Sequence, residues 1–494
     1  MYLIGYDLGT SSIKAALVEA ESGKTIGVVQ YPEEEMEVIA HQSGWAEQDP
    51  ENWWECICKA TQKLLAKTNC LPQTIKSIGI SYQMHGLVVV DKNYKVLRPS
   101  IIWCDSRAVE IGNTAFGQLG QDYCLSHYLN SPGNFTASKL KWIKENEPEV
   151  FEQIFKIMLP GDFISMKMTG EIGTTISGLS EGVFWDFKNH TIAHKLLEHY
   201  GIPTSFIPEI VDTFSNQGQL TTQAAESLGL APKTIVGYRA GDQPNNALSL
   251  GVFNPNEVAA TGGTSGVVYG VVDQYLYDSE SRVNGFAHVN HDEIEKRVGI
   301  LLCINGAGIQ YAWMRRQMAT ENTSYDEMEE LLNKIPVGSD GLRIIPFGNG
   351  AERILNNTNT GAQMLNVEFN RHTKPHFYRA ALEGIAFSFI YGFKVMKNLG
   401  LNPHLIKVGN DNLFQSSTFS QTISNLMNCK IEVVKTTGAI GAAKGGGVGA
   451  GIYSNLEEAF KKNEVHKIIT PNNINEAYQD AYLSWENDLK KLIK

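Results

Sequence analysis

The sequence predicts an α/β protein built from two similar halves, each a mixed sheet flanked by helices. Two short glycine-hydroxyl turns, Asp7-Leu8-Gly9-Thr10-Ser11-Ser12 and Thr261-Gly262-Gly263-Thr264-Ser265-Gly266, lie about half the chain apart, each between two strand-like runs. After each hairpin the pattern passes to helices and further strands, the order of a layered α/β sheet. With 494 residues and 43% apolar content, the chain can bury a large core in two or more domains.

The opening runs Tyr2–Asp7, Ile13–Ala20 and Thr25–Gln30 read as strands, the last two joined by a Ser22-Gly23-Lys24 turn. Asp49-Pro50 reads as an N-cap followed by a first-turn proline, and Trp53, Trp54, Ile57, Ala60, Leu64 and Leu65 keep helical spacing behind it. Strand Ile75–Ser81 follows. Gly251 to Asn256, rich in Gly, Asn and Pro, marks the boundary between a first half, 1–250, and a second, 251–494. The second half continues with strand Val298–Ile304, helices from about Gly308 and from Pro375 to Leu399, and strand Leu405–Val408. Helix Leu413–Met427, strand Lys430–Val434 and a small-residue helix from Ala439 come next, and Asn472 to Lys494 reads as an amphipathic helix.

The 53 acids against 42 bases leave a net charge of −11, with no Lys/Arg-rich block. That argues against nucleic acid or an anionic membrane as partner, since both demand basic patches. No apolar run approaches the ~18 residues that span a bilayer, and the N-terminus has no basic leader. Seven cysteines without metal-ligand spacing suit reduced thiols, so the expectation is a soluble cytoplasmic protein, with a homodimer as the default assembly.

Glycine turns let backbone N–H groups and Thr/Ser hydroxyls converge on an anion, so two such hairpins facing each other would grip a polyphosphate from both sides. Asp7, at the end of the first strand, is placed either to hold Mg²⁺ through water or to cap a turn. Lys14 either reaches the same phosphates or is a solvated strand residue. Gln83-Met84-His85-Gly86 makes a sharp turn at a strand end, where an imidazole either bonds a hydroxyl-rich substrate or is structural. Ala240-Gly241-Asp242-Gln243 puts an acid in a glycine-flanked loop beside the boundary, the place for a general base, or for an Asx-turn. Gly306-Ala307-Gly308-Ile309-Gln310 and Gly409-Asn410-Asp411-Asn412 each follow a strand and open a helix, a site for anions or an ordinary connection.

Three motifs mislead. Gly23-Lys24-Thr25 lacks the upstream glycine of a Walker A loop. Gly445-x-Gly447-x-x-Ala450 lies inside a helix rather than after a strand, against a dinucleotide site. His372 and His376 enclose Pro375 and lack the adjacent glutamate of a helical zinc motif.

Taken in order, Asp7-Leu8-Gly9-Thr10-Ser11, Gly44-Trp45-Ala46-Glu47-Gln48-Asp49-Pro50, Gly241-Asp242 and Gly263-Thr264-Ser265-Gly266 resemble the FGGY carbohydrate kinases over nearly the whole chain. That family has the duplicated actin/hexokinase-type (ribonuclease H-like) ATPase fold with an interdomain cleft. Gln83-Met84-His85-Gly86, Leu97 to Trp103 with Asp105, and Leu159-Pro160-x-Asp162-Phe163 with Met168 to Glu171 are most similar to xylulokinases. Glycerol kinases carry Arg-Glu in place of Met84-His85.

The resemblance implies ATP and Mg²⁺ as cofactors and a sugar, D-xylulose, as substrate. It implies Asp242 as catalytic base; Met84, His85, Gln243, Trp103 and Asp105 at the sugar; and Asp7 at the metal. Thr10, Ser11, Lys14, Gly263, Thr264, Gly306, Gln310, Gly409 and Asn410 would serve phosphate and nucleotide. Three positions depart from the xylulokinase pattern: Gln243 replaces Asn, Cys104 replaces Asn, and Gly409-Asn410-Asp411-Asn412 replaces a glycine triplet with Ala. The rivals are an FGGY kinase for gluconate, ribulose or a deoxy-ketose, and a non-catalytic sugar sensor on the same fold.

Overall fold

A computed structural model describes residues 1–472 and 475–493. Its first sheet is built from β1 (Tyr2–Leu8), β2 (Ile13–Glu19), β3 (Thr25–Tyr31), β4 (Ile75–Tyr82) and β5 (Ile235–Gly241). The spatial order is β5-β4-β1-β2-β3. The β1–β2 hairpin is antiparallel with Asp7 opposite Lys14, while β4 and β5 run parallel to β1.

The second sheet repeats this plan with β6 (Glu257–Gly262), β7 (Gly266–Val272), β8 (Asn284–Ala287), β9 (Val298–Ile304), β10 (Leu405–Gly409), β11 (Lys430–Val434) and β12 (Val465–Ile469). The order is β8-β9-β7-β6-β10-β11-β12. Again an antiparallel hairpin, β6–β7, stands at the centre, and two parallel strands, β10 and β11, extend its first strand. Strands β8 and β12, which the sequence pattern did not mark, add one edge on each side. The chain crosses from one sheet to the other through Gly251 to Asn256.

Ten helices matter for the site or its support: α1 (Pro50–Thr68), α2 (Thr136–Asn146), α3 (Pro160–Thr169), α4 (Ile176–Glu181), α5 (Asp242–Ser249), α6 (Gly308–Met318), α7 (Lys374–Asn398), α8 (Ser417–Met427), α9 (Gly438–Gly449) and α10 (Asn475–Leu492). Asp49 caps α1 by accepting the Glu51 N–H at 2.9 Å, Pro50 occupies the first turn, and Asn69 ends the helix in the left-handed region. Each device satisfies or removes an orphan backbone group. The buried stripe Trp53, Ile57, Ala60 and Leu64 then packs under the first sheet.

Helix α9 belongs to the second half of the sequence but packs on strands of the first sheet. Its small residues allow this. A Cβ on Gly5 or Gly79 would overlap the backbone oxygen of Ala439 or Ala442, and one on Gly237 would overlap the oxygen of Gly446. Backbone therefore lies directly on backbone, and the glycine-rich run that imitates a dinucleotide motif is a packing surface. Helix α10 packs on α7 and α8 of the second half; residues 473, 474 and 494 of the amphipathic stretch lie outside the described residues.

Two expected elements differ. Asp242 is not in a loop: β5 runs to Gly241 and α5 begins at Asp242. The helix expected from Leu413 is a short 3₁₀ turn, Asn412–Gln415, followed by α8, because Ser416 accepts the Phe419 N–H and starts a new helix there. His372 and His376 pack against each other, and His376 sits 3.2 Å from Asp340. Among the described residues no group of three or more His, Cys, Asp or Glu side chains could hold a metal.

Candidate active site

The ends of β1, β4 and β5 meet the start of α9 at one point of the cleft. Asp7 Oδ1 accepts the Ser81 hydroxyl at 2.9 Å, while Oδ2 faces Gly438, where a Cβ would come within 2.7 Å of it. Burial raises the Asp7 carboxyl; the Ser81 hydrogen bond and the Lys14 charge pull it back only in part. Burial likewise raises the carboxyl of Asp411 in the Gly409–Asn412 loop, and the Lys14 charge offsets this only in part, so the ammonium acts on both halves of the cleft.

Asp242 is half-buried at the N-terminus of α5. Burial first, and the Asp7 carboxylate second, push its carboxyl up to about 7, against hydrogen bonds from Gln243. A carboxyl poised near neutrality can accept a proton from an alcohol and release it again, the requirement for a general base.

His85 adopts φ 63, in the left-handed region, and its ring lies among Glu181, Phe135 and Phe286. Its Nδ1 lies 2.8 Å from the Glu181 carbonyl, which can only accept, so Nδ1 carries the proton. Burial, then the neighbouring Lys139, hold the ring down to about 3, and it is neutral. Phe135 and Phe286 rings stand 4.8 and 5.6 Å away. Lys139 of α2 donates to the carbonyls of His85 and Ile102 at 2.8 and 2.9 Å, and burial pushes its own ammonium down to about 7.

Trp103 is 53% exposed, and its indole N–H reaches Thr10 of the first hairpin. Gln48 braces this corner: its Nε2 donates to the Thr10 carbonyl at 2.8 Å, and its Oε1 accepts from Gln83 at 3.0 Å and from Trp53 at 3.1 Å. Asp105 is not brought to the cleft. It is fully buried, accepts the Ala46 N–H at 2.6 Å and grips Arg107, which stacks 3.7 Å over Trp45. The carboxylate thus holds together the loops that carry Trp103 and Gln48.

On the other side of the cleft a cavity of about 570 Å³ opens beside the second hairpin, lined among others by Gly263, Thr264, Ile309, Tyr325, Asn412 and Ser416. Its size and its aromatic and hydroxyl lining suit a nucleotide. The hairpin is pinned to α6 by Gly308 N–H to Gly263 O and Ile309 N–H to Thr264 O, both 3.0 Å. Five of the residues expected at phosphate or nucleotide stand differently. The Gly306 N–H is taken by buried Glu352 at 2.8 Å. Gln310 is buried, its Oε1 without a partner, and does not line the cavity. Gly409 and Asn410 do not line the cavity, whereas Asn412, Leu413, Gln415 and Ser416 just after them do. Ser11 is exposed, and its carbonyl accepts the Met36 N–H at 2.8 Å.

Sequence reasoning missed Glu181 and Lys139. Glu181 is the one charge between Leu179 and Phe184, and Lys139 shares the stretch Ala137 to Ile143 with Lys141, so neither carries a motif that marks it.

Residues 2–249 match the N-terminal domain of the FGGY family of carbohydrate kinases, and residues 258–450 match its C-terminal domain. The chain belongs to the FGGY family of carbohydrate kinases. It is an ATP-dependent sugar kinase with the duplicated actin/hexokinase-like fold. A protein named xylulose kinase from Bacillus subtilis strain 168 is 29% identical over 469 residues, covering 93% of this chain and 91% of its own. The structure of xylulose kinase from Rhodospirillum rubrum superposes with TM-score 0.89 at 24% identity, over 100% of this chain and 99% of the other. That of gluconate kinase from Lactobacillus acidophilus also gives 0.89, at 22% identity and 100% and 98% coverage. Among the described residues no helix is long and apolar enough to cross a membrane.

Proposed function

We propose that this kinase transfers the γ-phosphoryl group of ATP to O5 of D-xylulose, with Asp242 as general base. The observation that carries the reading is the placement of Asp242, its carboxyl near neutrality, one strand away from the Met84–His85 turn. The relatives named xylulose kinase support the choice of sugar. Residues 1–250 hold the sugar and the first phosphate hairpin, and residues 251–494 hold the nucleotide, with α9 as the part of the second half that rests on the first.

In the reaction Asp242 accepts the O5 proton as O5 bonds to the γ-phosphorus, the bond from that phosphorus to the bridging oxygen breaks, and ADP leaves. Positioning and charge stabilisation do most of the work in such transfers. His85 Nε2, left as an acceptor, orients a sugar hydroxyl, and Trp103 covers the ring or chain of the sugar. Lys14 and the N–H and hydroxyl groups of the two hairpins hold phosphate oxygens. Closure of the halves excludes water, which would otherwise take the phosphoryl group.

Asp7 fits a Mg²⁺ ion held through water: its Oδ2 lies beside Gly438, whose missing Cβ leaves the space, and a divalent cation would relieve the repulsion between Asp7 and Asp242. A Mg²⁺ ion held there with the nucleotide would supply neutralisation of phosphate charge. A cytoplasmic location suits the seven free thiols.

Gln243 in place of Asn points to the ketose end of the sugar as the place where specificity would change. The test is a coupled ADP-release assay with ATP, Mg²⁺ and D-xylulose, D-ribulose, L-ribulose, gluconate and glycerol. Preference for D-xylulose, lost in Asp242→Asn while sugar binding persists, is the expected result. Preference for another sugar overturns the substrate, and substantial turnover by Asp242→Asn removes it from the base role.

A further inference from the structure

The sugar-kinase reading leaves one buried acid beside the site without a task. Glu181 ends α4 and is 1% exposed. It touches His85 twice: its carbonyl accepts the ring Nδ1–H at 2.8 Å, and its Oε1 accepts the His85 backbone N–H at 3.4 Å. The backbone at His85, φ 63, is one that a residue with a Cβ adopts at a cost and keeps only where its surroundings hold it. Glu181 supplies that hold from a separate helix. Its other oxygen, Oε2, is buried with no partner and occupies the place a Cβ on Gly241 would take, next to Asp242.

We propose that Glu181 is a positioning residue for sugar recognition: its carbonyl and carboxyl lock His85 in the left-handed turn with Nε2 as a hydrogen-bond acceptor for a sugar hydroxyl. This rests on the sugar-kinase reading of the same site. Phe135 and Phe286 fix the ring plane, and Lys139 fixes the His85 carbonyl, so Glu181 controls the remaining freedom. Burial, together with Asp242 and Asp162, pushes the Glu181 carboxyl well above the usual carboxylate range. His85 is neutral and places no charge behind an uncharged polyol. No bond is made or broken in this role; the sugar hydroxyl keeps its proton and shares it with Nε2.

The experiment measures sugar KM, ATP KM and kcat for wild type, Glu181→Ala, Glu181→Gln, His85→Ala and the Glu181→Ala/His85→Ala pair. Loss of the carboxyl should raise sugar KM about tenfold while kcat and ATP KM move by less than about twofold. Glu181→Gln retains an acceptor oxygen and should stay within about threefold. In the His85→Ala background Glu181→Ala should add less than about twofold, because its effect passes through the histidine. An equal rise in both backgrounds, an unchanged sugar KM in folded Glu181→Ala, or a Gln variant as impaired as Ala would overturn the proposal. Where Ala leaves a cavity that unfolds the chain, Glu181→Met fills the space without an acceptor and takes its place in the series.

The ¹⁵N imidazole spectrum of His85 needs no turnover and keeps this test separate from the sugar reading. Wild type should give one neutral Nδ1–H tautomer at pH 7; Glu181→Ala keeps the backbone carbonyl but loses the carboxyl that holds the His85 N–H, so the turn that presents the ring to that carbonyl loosens and a mixture is expected. An unchanged spectrum in the variant sinks the role of Glu181, whereas absence of turnover with every sugar sinks the kinase reading.

Discussion

The indole N–H of Trp103 donates to the hydroxyl of Thr10 at 2.9 Å, and that hydroxyl donates in turn to Gln83 Oε1 at 3.2 Å. A side chain expected over the sugar is thus tied to the first phosphate hairpin, and the hairpin to the turn that carries Met84 and His85. Under the proposed function, phosphate entering the hairpin would compete for the Thr10 hydroxyl, and sugar against Trp103 would act on the same bond from the other end.

Trp103→Phe keeps an aromatic face and removes the donor. Of the eight tryptophans, Trp103 is the one exposed at this corner, so it should dominate the fluorescence response to sugar and nucleotide. The variant should lose most of that response and raise sugar KM about three- to tenfold. A fluorescence titration checks it, and an undiminished response would show that the bond does not report on ligand.

The carboxyl of Asp242, at about 7, must be ionised to accept a proton. Activity at low sugar concentration should therefore rise with pH through the neutral region and level off above it. Removing the neighbouring negative charge lowers the Asp242 value, so in Asp7→Asn the residual activity should show its rising limb at lower pH. A pH profile of kcat/KM for both proteins decides this, and an unshifted limb would mean that Asp7 does not act on Asp242.

The same shift has a stability consequence. The folded state holds the Asp242 proton more tightly than the unfolded chain, so ionisation on raising the pH from about 4 to about 7 works against folding. Asp242→Asn should accordingly be more stable than wild type by about 1–3 kcal/mol at pH 8 and equal to it below about pH 4. Urea unfolding at the two pH values measures the difference; equal stability at pH 8 would place Asp242 in a better solvated setting.

Much of this arrangement is legible in the residues. The two hairpins declare themselves because tight turns need glycine and anion sites need hydroxyls, both local demands. Asp49-Pro50 marks α1 for the same reason. What stayed hidden depends on distant partners. Strand β5 contains Gly237, Gly241 and a buried Arg239, a poor strand signature alone; Arg239 is satisfied by Asp162 at 2.7 Å, which comes from α3. Gly306 looked free for a nucleotide because Glu352, which takes its N–H, lies 46 residues away. The resemblance put Asp105 at the sugar, and nothing local shows that Arg107 and Ala46 close on it. The small residues of α9 are plain in the sequence, but only the topology shows that they rest on the opposite half.

That contact gives a direct test of how the halves are joined. A Cβ on Gly79 would overlap the Ala442 carbonyl and come within 3.1 Å of the Gly446 nitrogen, both backbone atoms of α9 that cannot rotate away. Gly79→Ala should therefore push the helix off the sheet and cost about 1–3 kcal/mol. Gly117 provides the control, since a Cβ there meets nothing within 4 Å; in its helix, Val109–Leu119, alanine should stabilise by about 0.5–1 kcal/mol. Because α9 begins at Gly438 against Asp7, the displaced helix in Gly79→Ala should also lower kcat, whereas Gly117→Ala should leave it alone. Thermal melts and turnover on the two variants decide between this and a loose contact, in which Gly79→Ala would melt and turn over like wild type.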